Sequence, residues 1–196
     1  MPWPGSRCGW IEVYNRRRDP MFATYVQSIL NAKMLEVCST TLPQAVLPRI
    51  KAHPLYREHL KHRIKRYERY SNLAYDILKN VKGLLVNRTN GAFYMSAVFE
   101  EGVLNHQQSL PIASAEVRET VERLVSGSSV QPDKRFVYYL LAATGICVVP
   151  LSSFATDLQG FRITLLEKDE DDFVEIFQTI AASIRRYIDS NQTCSR

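Results

Sequence analysis

Residues 145–154, with the sequence GICVVPLSSF, and residues 160–166, with the sequence GFRITLL, decide the fold of this chain. The apolar run in the first segment predicts a buried strand over residues 146–149, followed by a turn that begins with Pro150. The second segment predicts another strand over residues 161–166. Arg162 interrupts that apolar strand, where a charge is costly unless it is paired, so it either faces outward or has an anionic partner.

The segments upstream of these strands predict a β-hairpin and two helices. Residues 84–86 and 92–99 are expected to pair, because the turn between them contains Asn90-Gly91, a dipeptide that tolerates the positive φ angles of a tight turn. A helix is predicted over residues 113–125, with Ser114 as its N-cap. A second helix is expected to start at Pro132 and to end at Gly145.

The C-terminal segment predicts a last helix, with the acidic residues 169–172 supplying negative charge at its N-terminus. Its apolar residues recur every three or four positions, as on a helix with one buried face. The predicted order after residue 83 is therefore β-β-α-α-β-β-α. This order is typical of an α/β fold in which helices pack against a small sheet.

The N-terminal segments predict a strand over residues 10–14 (WIEVY), a charged turn with Arg16, Arg17 and Arg18, and a helix over residues 21–37. A short helical segment is expected over residues 44–47, between two prolines.

A long helix is predicted over residues 53–82, with Gly83 at its end. Steps of four and three residues place one apolar stripe along it, which suits a helix that joins two lobes. The stripe consists of Leu60, Ile64, Tyr67, Ser71, Ala74, Leu78 and Val81.

The composition is that of a globular protein, with 45% hydrophobic and 23% charged residues among 196. The apolar stretches are too short to cross a bilayer. A net charge of +5 is compatible with an anionic ligand or with nucleic acid, without requiring either. No aromatic residues are interleaved with the basic residues of the 16–18 turn and the 61–69 helix face in a recognised RNA-binding pattern, so we expect no nucleic-acid partner.

The four cysteines are widely spaced and include no CxxC pair, which makes a zinc ribbon or a redox dithiol an unlikely interpretation. Cys147 is predicted to be a small core residue. His59 and His62 are three residues apart but have no third ligand nearby, so no metal site is expected. The N-terminal residues do not resemble a signal peptide, and we expect a cytoplasmic protein with no membrane partner.

Two motifs make the chain resemble the class I/II aminotransferases of fold type I, which use pyridoxal 5′-phosphate (PLP) as cofactor. One is residues 4–10 (PGSRCGW). The other consists of residues 145–154 and 160–166, preceded by the sequence NGAFY at residues 90–94. The segments RCGWIEVYN and GFRITLLE are most similar to the alanine-aminotransferase branch. The resemblance covers essentially the whole chain but only the C-terminal portion of the family.

The resemblance implies three parts. Residues 1–52 would be a remnant of the large PLP-binding domain, residues 53–82 the long interdomain helix, and residues 83–196 the small C-terminal α/β domain. It also implies amino acid and 2-oxo acid substrates, and a homodimer. Much of the dimer interface in the family comes from the part that this chain does not match.

The resemblance implies one role for each of two arginines, which would converge on one cleft. Arg7 matches the arginine that contacts the cofactor phosphate, and Arg162 matches the arginine that binds the substrate α-carboxylate; both roles suit the planar donors of a guanidinium. Residues 152–154 match a loop that shapes the pocket wall. Leu151 departs from the pattern, which has glycine there, and leucine resists a positive φ.

The Schiff-base lysine of the family has no counterpart in the chain, because it would lie just before Met1. All eight lysines follow Arg7. We therefore expect no catalytic residue among these residues. The alternative is a non-catalytic interaction module that pairs with a full-length relative, which an exposed apolar face would favour. A nucleic-acid binder would instead require steep salt dependence of binding.

The 196-residue chain by itself is predicted not to transaminate, because it lacks the lysine that serves as covalent anchor and base. The purified chain, supplied with PLP, L-alanine and 2-oxoglutarate, should form no glutamate above the rate of PLP in buffer. Measurable conversion by the chain would refute this prediction.

Overall fold

A computed structural model of the protein describes residues 7–36, 40–127 and 129–190. The chain divides into two compact units, Met1–Lys61 and His62–Arg196, and the boundary falls within one long helix. The three-part division predicted from the sequence stays a prediction. Each unit is described separately below.

The first unit contains helices α1 (Pro20–Met34) and α2 (Thr41–Ala52) and the start of α3 (Tyr56–Leu78). Asp19 caps α1, since its carboxylate accepts a hydrogen bond of 2.8 Å from the backbone N–H of Met21. The predicted short segment over residues 44–47 is part of the longer helix α2. This helix includes Pro43 in its first turn, where a missing N–H costs little, and Pro48 in its interior.

The predicted strand over residues 10–14 is wrong. These residues form neither a strand nor a helix, and Trp10 and Ile11 are 62% and 72% exposed. The physical reason is the lack of a pairing partner, because none of the described residues of the first unit forms a strand. An extended segment is stable only when its backbone hydrogen-bonds with a neighbouring strand.

The second unit is built on one antiparallel sheet of four strands. In chain order these are β1 (Leu84–Val86), β2 (Tyr94–Phe99), β3 (Val149–Pro150) and β4 (Gly160–Thr164). Their spatial order is β1-β2-β4-β3, so β4 is hydrogen-bonded on both edges. The hairpin pairing of β1 with β2 is confirmed, with Leu84 opposite Phe99.

Three helices complete this unit: α4 (Ala115–Val125), α5 (Pro132–Thr144) and α6 (Glu170–Asp189). A 3₁₀ turn (Leu151–Phe154) lies between β3 and β4. The order of strands and helices is therefore the predicted β-β-α-α-β-β-α. Two predicted cap residues are confirmed as well: Ser114 accepts from the N–H of Val117, and Gly145 ends α5 with a φ of 76°. Asp169, one of the acidic residues expected at the N-terminus of the last helix, is its N-cap.

The core of the second unit lies against one face of the sheet. Strand alternation turns Phe99 of β2 and Phe161 of β4 toward the helices, where Phe136 of α5 and Tyr187 of α6 meet them. The Phe136 ring packs edge-on against Phe99 at 5.3 Å and against Tyr187 at 5.2 Å between ring centroids. Such pairs add to the stability that apolar burial provides.

The long helix is shorter and less buried than predicted. It ends at Leu78, and Gly83, with a φ of 78°, follows it in a turn. The apolar stripe is buried only at its C-terminal end, where Leu78 is inaccessible to solvent, whereas Leu60 and Ile64 are 39% and 64% exposed. Periodicity identifies one face of a helix, but it does not indicate how much of that face is covered.

Two further local predictions are wrong. Neither Asn90 nor Gly91 has a positive φ; Ala92 does, at 60°, within the loop that connects β1 and β2. The predicted strand over residues 146–149 is reduced to Val149–Pro150, and Cys147 is exposed instead of buried. An apolar run predicts a buried strand only where the backbone is extended. Here the chain becomes extended only some residues after the cap at the end of α5, so the strand is short.

None of the helices in the described ranges is long and apolar enough to cross a lipid bilayer.

Tyr187 has an unusual phenol. Its side chain is fully buried, and its hydroxyl has no hydrogen-bond partner among the described residues. Burial is the main cause that raises the pKa of Tyr187 far above its ordinary value of about 10, and the nearby Arg135 offsets this only in part. Because the pKa of this phenol is higher in the folded than in the unfolded state, its contribution to the free energy of unfolding is complete below pH 10. That contribution is lost as the pH rises above 10.

Replacing Tyr187 with phenylalanine should remove this alkaline loss. At pH 8, Tyr187→Phe is expected to be neutral or to stabilise by up to about 1 kcal/mol, because it removes a buried hydroxyl without a partner. At pH 10.5 the wild type should lose about 0.8 kcal/mol relative to the variant. Urea unfolding at both pH values measures the difference. Tyr138→Phe is the matched control, since Tyr138 remains partly exposed; an equal alkaline loss in wild type and Tyr187→Phe would contradict the assignment.

Candidate functional site

Arg162 lies in the middle of β4, one of the two strands with neighbours on both edges. It is opposite Ser96 of β2 and Val149 of β3. Alternation along β4 turns Phe161 and Ile163 into the core, so Arg162 belongs to the opposite face of the sheet, where its side chain is half-buried. The strand pairing therefore determines the face on which this guanidinium lies.

Two aromatic rings flank the Arg162 guanidinium. Its central carbon, Cζ, lies 4.5 Å from the ring centroid of Tyr94 and 4.2 Å from that of Phe154. Each ring comes from a different element, Tyr94 from β2 and Phe154 from the 3₁₀ turn. Cation–π attraction of about 0.5–2 kcal/mol per ring holds the guanidinium plane and removes water from its faces.

The donor edges of Arg162 are not used within the second unit. No hydrogen bond or ion pair of this side chain occurs among the described residues. A guanidinium has five N–H donors in its plane, and rings on its faces leave those edges accessible. Such an arrangement can bind a planar anion, and a carboxylate matches it in a bidentate manner.

The turn that bears Phe154 is anchored by a buried carboxylate. Asp133, in the first turn of α5, is inaccessible to solvent. Its oxygens accept hydrogen bonds from the hydroxyl of Ser152 at 2.7 Å and from the backbone N–H of Ser152 at 2.9 Å. The sequence analysis missed Asp133, because its only local signal was an acidic residue at a helix start, and its partners are far away along the chain.

The turn does not need the glycine that the family pattern has at position 151. Leu151 is buried at the start of the 3₁₀ turn, and its φ is not positive. Ala155 instead has the left-handed conformation, with a φ of 54°, and ends the turn. Of the predicted pocket-wall residues, Phe154 contacts Arg162, Ser152 is bound to Asp133, and Ser153 is exposed.

Arg7 lies in the first unit and is exposed. It lines a shallow cleft of about 360 Å³ together with Lys33, Glu36, Thr40 and Gln44. The ammonium of Lys33 forms an ion pair with Glu36, and the side-chain amide of Gln44 donates to the carbonyl oxygen of Thr40. The preceding motif residues, 4–6, lie outside the described residues.

The donors around Arg7 fit one part of PLP, its phosphate group. Arg7 and the hydroxyl of Thr40 can donate to phosphate oxygens, and an arginine is the side chain best suited to a phosphate dianion. The same cleft includes the carboxylate of Glu36, whose negative charge Lys33 offsets. Arg7 and Arg162 belong to different units, and their convergence on one cleft stays a prediction.

Basic residues of the 61–69 helix face make contacts within the protein. Arg63 donates to the hydroxyl of Tyr67, and Arg66 donates to the carbonyl oxygen of Glu167. Arg69 forms an ion pair with Glu170, at the start of α6. Arg66 and Arg69 therefore link α3 to the loop before α6 and to the start of α6. Among the described residues, no group of three or more His, Cys, Asp or Glu side chains is placed to bind a metal ion.

Comparison of the sequence with known families finds that residues 1–177 match the family described as aminotransferase class I and II. An uncharacterized aminotransferase of Methanocaldococcus jannaschii is 51% identical over 188 residues, which are 96% of this chain and 43% of that protein. A probable mitochondrial alanine aminotransferase of Dictyostelium discoideum is 27% identical over 176 residues, which are 85% of this chain and 29% of that protein.

Comparison of the structure finds similar solved enzymes. The aspartate aminotransferase from Rhizobium meliloti has a TM-score of 0.56 at 28% identity, over 76% of this chain and 32% of that one. The multiple substrate aminotransferase from Thermococcus profundus has a TM-score of 0.54 at 15% identity, over 86% of this chain and 36% of that one. The chain therefore spans less than half the length of each of these four proteins.

Proposed function

The chain belongs to the class I and II aminotransferase family, and we propose that it provides the substrate-carboxylate site and part of the phosphate site of a PLP-dependent aminotransferase. The reaction would transfer an amino group between an alanine-like amino acid and a 2-oxo acid. The observation on which the proposal depends is the Arg162 guanidinium, which is held by two rings while its donor edges have no partner among the described residues.

Arg162 would bind the α-carboxylate that amino acid and 2-oxo acid substrates share. Two parallel N–H bonds restrict rotation of the carboxylate about its C–C bond, so the adjacent α-carbon is held in one orientation. The Tyr94 and Phe154 rings contribute by limiting the directions in which the guanidinium can turn. Arg162 thus acts by binding and orientation.

Arg7 would bind the phosphate of the cofactor. When bound, PLP supplies the electron sink for the chemistry at the substrate α-carbon. The contribution of this chain is to hold the phosphate by the charge and planar donors of Arg7, since the family resemblance implies no catalytic lysine among these residues. The Schiff-base lysine is assigned to no residue of the chain.

The amino donor, the assembly and the compartment are finer parts of the proposal. An alanine-like donor is supported by the similarity to a protein named a probable alanine aminotransferase. One similar solved structure is instead named an aspartate aminotransferase. We propose a homodimer for the complete enzyme, small-molecule amino acid and 2-oxo acid partners, and a cytoplasmic location.

The carboxylate role predicts that pyruvate binds at Arg162. Arg162→Lys keeps the charge but loses the planar pair of donors, and it should weaken pyruvate binding at least tenfold, or about 1.4 kcal/mol. Titration followed by the Nε–Hε signal of Arg162 in the wild type, and by calorimetry in both proteins, measures the affinity.

Two controls make this test specific. Arg66→Lys changes an arginine of the same unit that is bound to a backbone carbonyl, and it should leave pyruvate binding unchanged. Pyruvamide, which lacks the carboxylate, should not shift the Arg162 signal. Equal pyruvate affinity in wild type and Arg162→Lys would refute the carboxylate role.

The phosphate role predicts that Arg7→Gln weakens the binding of pyridoxine 5′-phosphate about tenfold, the effect expected for loss of charge-assisted hydrogen bonds. This probe has no aldehyde, so it cannot form adducts with surface lysines, and its fluorescence reports binding. Unphosphorylated pyridoxine should bind equally to both proteins. Arg17→Gln, in the exposed basic turn, is the matched control. If Arg17→Gln lost as much affinity for pyridoxine 5′-phosphate as Arg7→Gln, the attraction of the anion would be unspecific.

A second candidate function, the non-catalytic interaction module, is favoured by one observation. Large apolar side chains are exposed on helices of the first unit, with Met21 and Met34 each 80% exposed, and Tyr25 63% exposed. Exposed apolar side chains in such number are typical of a surface that a protein partner covers. Binding of the chain to a full-length relative without any effect of Arg162→Lys would favour this alternative.

A further inference from the structure

Asp133 is the one fully buried carboxylate among the described residues. It accepts three hydrogen bonds, two from the hydroxyl and backbone N–H of Ser152 and a longer one, of 3.4 Å, from the backbone N–H of Gly160. Its own backbone N–H donates to the side chain of Gln159 at 3.1 Å. A buried charge is tolerated only when hydrogen bonds compensate for the lost water, and these contacts provide that compensation.

These hydrogen bonds join three segments of the second unit, among them the strand that bears Arg162 and the turn that bears Phe154. Asp133 is in the first turn of α5, Ser152 is in the 3₁₀ turn that bears Phe154, and Gly160 is the first residue of β4. The carboxylate thus ties both ends of the loop between β3 and β4 to one rigid helix. The positive end of the α5 dipole adds to the stability of the charge at this position.

Besides Asp133, buried Leu151 and a backbone hydrogen bond from the N–H of Phe99 to the carbonyl oxygen of Gln159 hold the loop near its two ends. Phe154 is 44% exposed and Leu158 is 55% exposed, so apolar burial contributes little at the loop tip. The position of the Phe154 ring, 4.2 Å from the guanidinium carbon, therefore depends on the ends of the loop. A displacement of this ring would free the guanidinium to turn, and errors of about 0.5 Å in such a site already reduce its function.

We propose that Asp133 is a positioning residue for Arg162: by holding Ser152 and Gly160, it keeps Phe154 on the guanidinium and so fixes the direction of the carboxylate-binding edge. This inference rests on the proposed carboxylate role of Arg162. Asp133 acts through the turn and does not touch the bound carboxylate. Its importance lies in its geometry as an acceptor, and its negative charge is secondary.

The position of the Phe154 ring can be measured without any ligand. Aromatic ring currents should displace the Arg162 Nε–Hε proton signal upfield in the wild-type chain, and Phe154→Leu defines the part of this displacement that Phe154 causes. Asp133→Ala should lose most of that part and weaken pyruvate binding about tenfold. Asp133→Asn should restore both, because an amide keeps one oxygen acceptor and can donate to the Ser152 hydroxyl.

A matched control separates positioning from loss of stability. Asp169→Ala removes another carboxylate that caps a helix in the same unit, with no link to the turn. It should leave the Arg162 displacement and pyruvate binding unchanged, although it also destabilises the fold. If Asp133→Ala does not fold, Ser152→Ala provides the test, because it removes one hydrogen bond to Asp133. A partial loss of the Phe154 displacement in Ser152→Ala supports the proposal, and an unchanged Arg162 signal overturns it.

The outcomes distinguish this inference from the proposed function. A full Phe154 displacement in folded Asp133→Ala would overturn the positioning role of Asp133, even where pyruvate still binds at Arg162. Failure of pyruvate to shift the Arg162 signal in the wild type would overturn the carboxylate role, whatever the displacement shows about the tether.

Discussion

The pairing of β4 with a strand on each edge is the constraint on which the second unit depends. Gly160, at the start of β4, lies so close to β2 that a Cβ atom there would be 2.2 Å from the carbonyl oxygen of Ala97. Only glycine allows this approach, and it places Phe161 opposite Ala97 and Arg162 opposite Ser96. A shift of one residue would turn Arg162 into the core and Phe161 into solvent, at a large cost in free energy.

The two faces of this strand have different tasks. On the inner face, Phe161 joins an aromatic cluster with Phe99 and Phe136, whose burial stabilises the unit. On the outer face, the rings of Tyr94 and Phe154 surround a cation and leave its donor edges accessible. The two-residue period of a strand therefore separates the core from the proposed carboxylate site, so mutations on the outer face would alter the proposed binding without disturbing the core.

The predicted elements that failed are those whose structure depends on a partner. Residues 10–14 have the alternation of a strand but no neighbour in the first unit with which to pair. Cys147 lies in an apolar run but is exposed, because the chain becomes extended only at Val149. In contrast, the helix start at Ser114 and the helix end at Gly145 were predicted correctly, since a cap depends on residues only a few positions away.

The sequence alone determined the order of strands and helices, the family, and the identity of Arg162 as the charged residue in an apolar strand. Hydrophobic periodicity and cap residues depend only on residues nearby in the chain, so they can be recognised from the sequence. The tertiary structure decided which rings flank Arg162 and which carboxylate is hydrogen-bonded to the turn that bears Phe154. Asp133 is 19 residues from Ser152 and 27 from Gly160, and only the folded chain brings the carboxylate to both backbone amides. The same holds for the exposed end of the α3 stripe, because the coverage of a helix face depends on what packs against it.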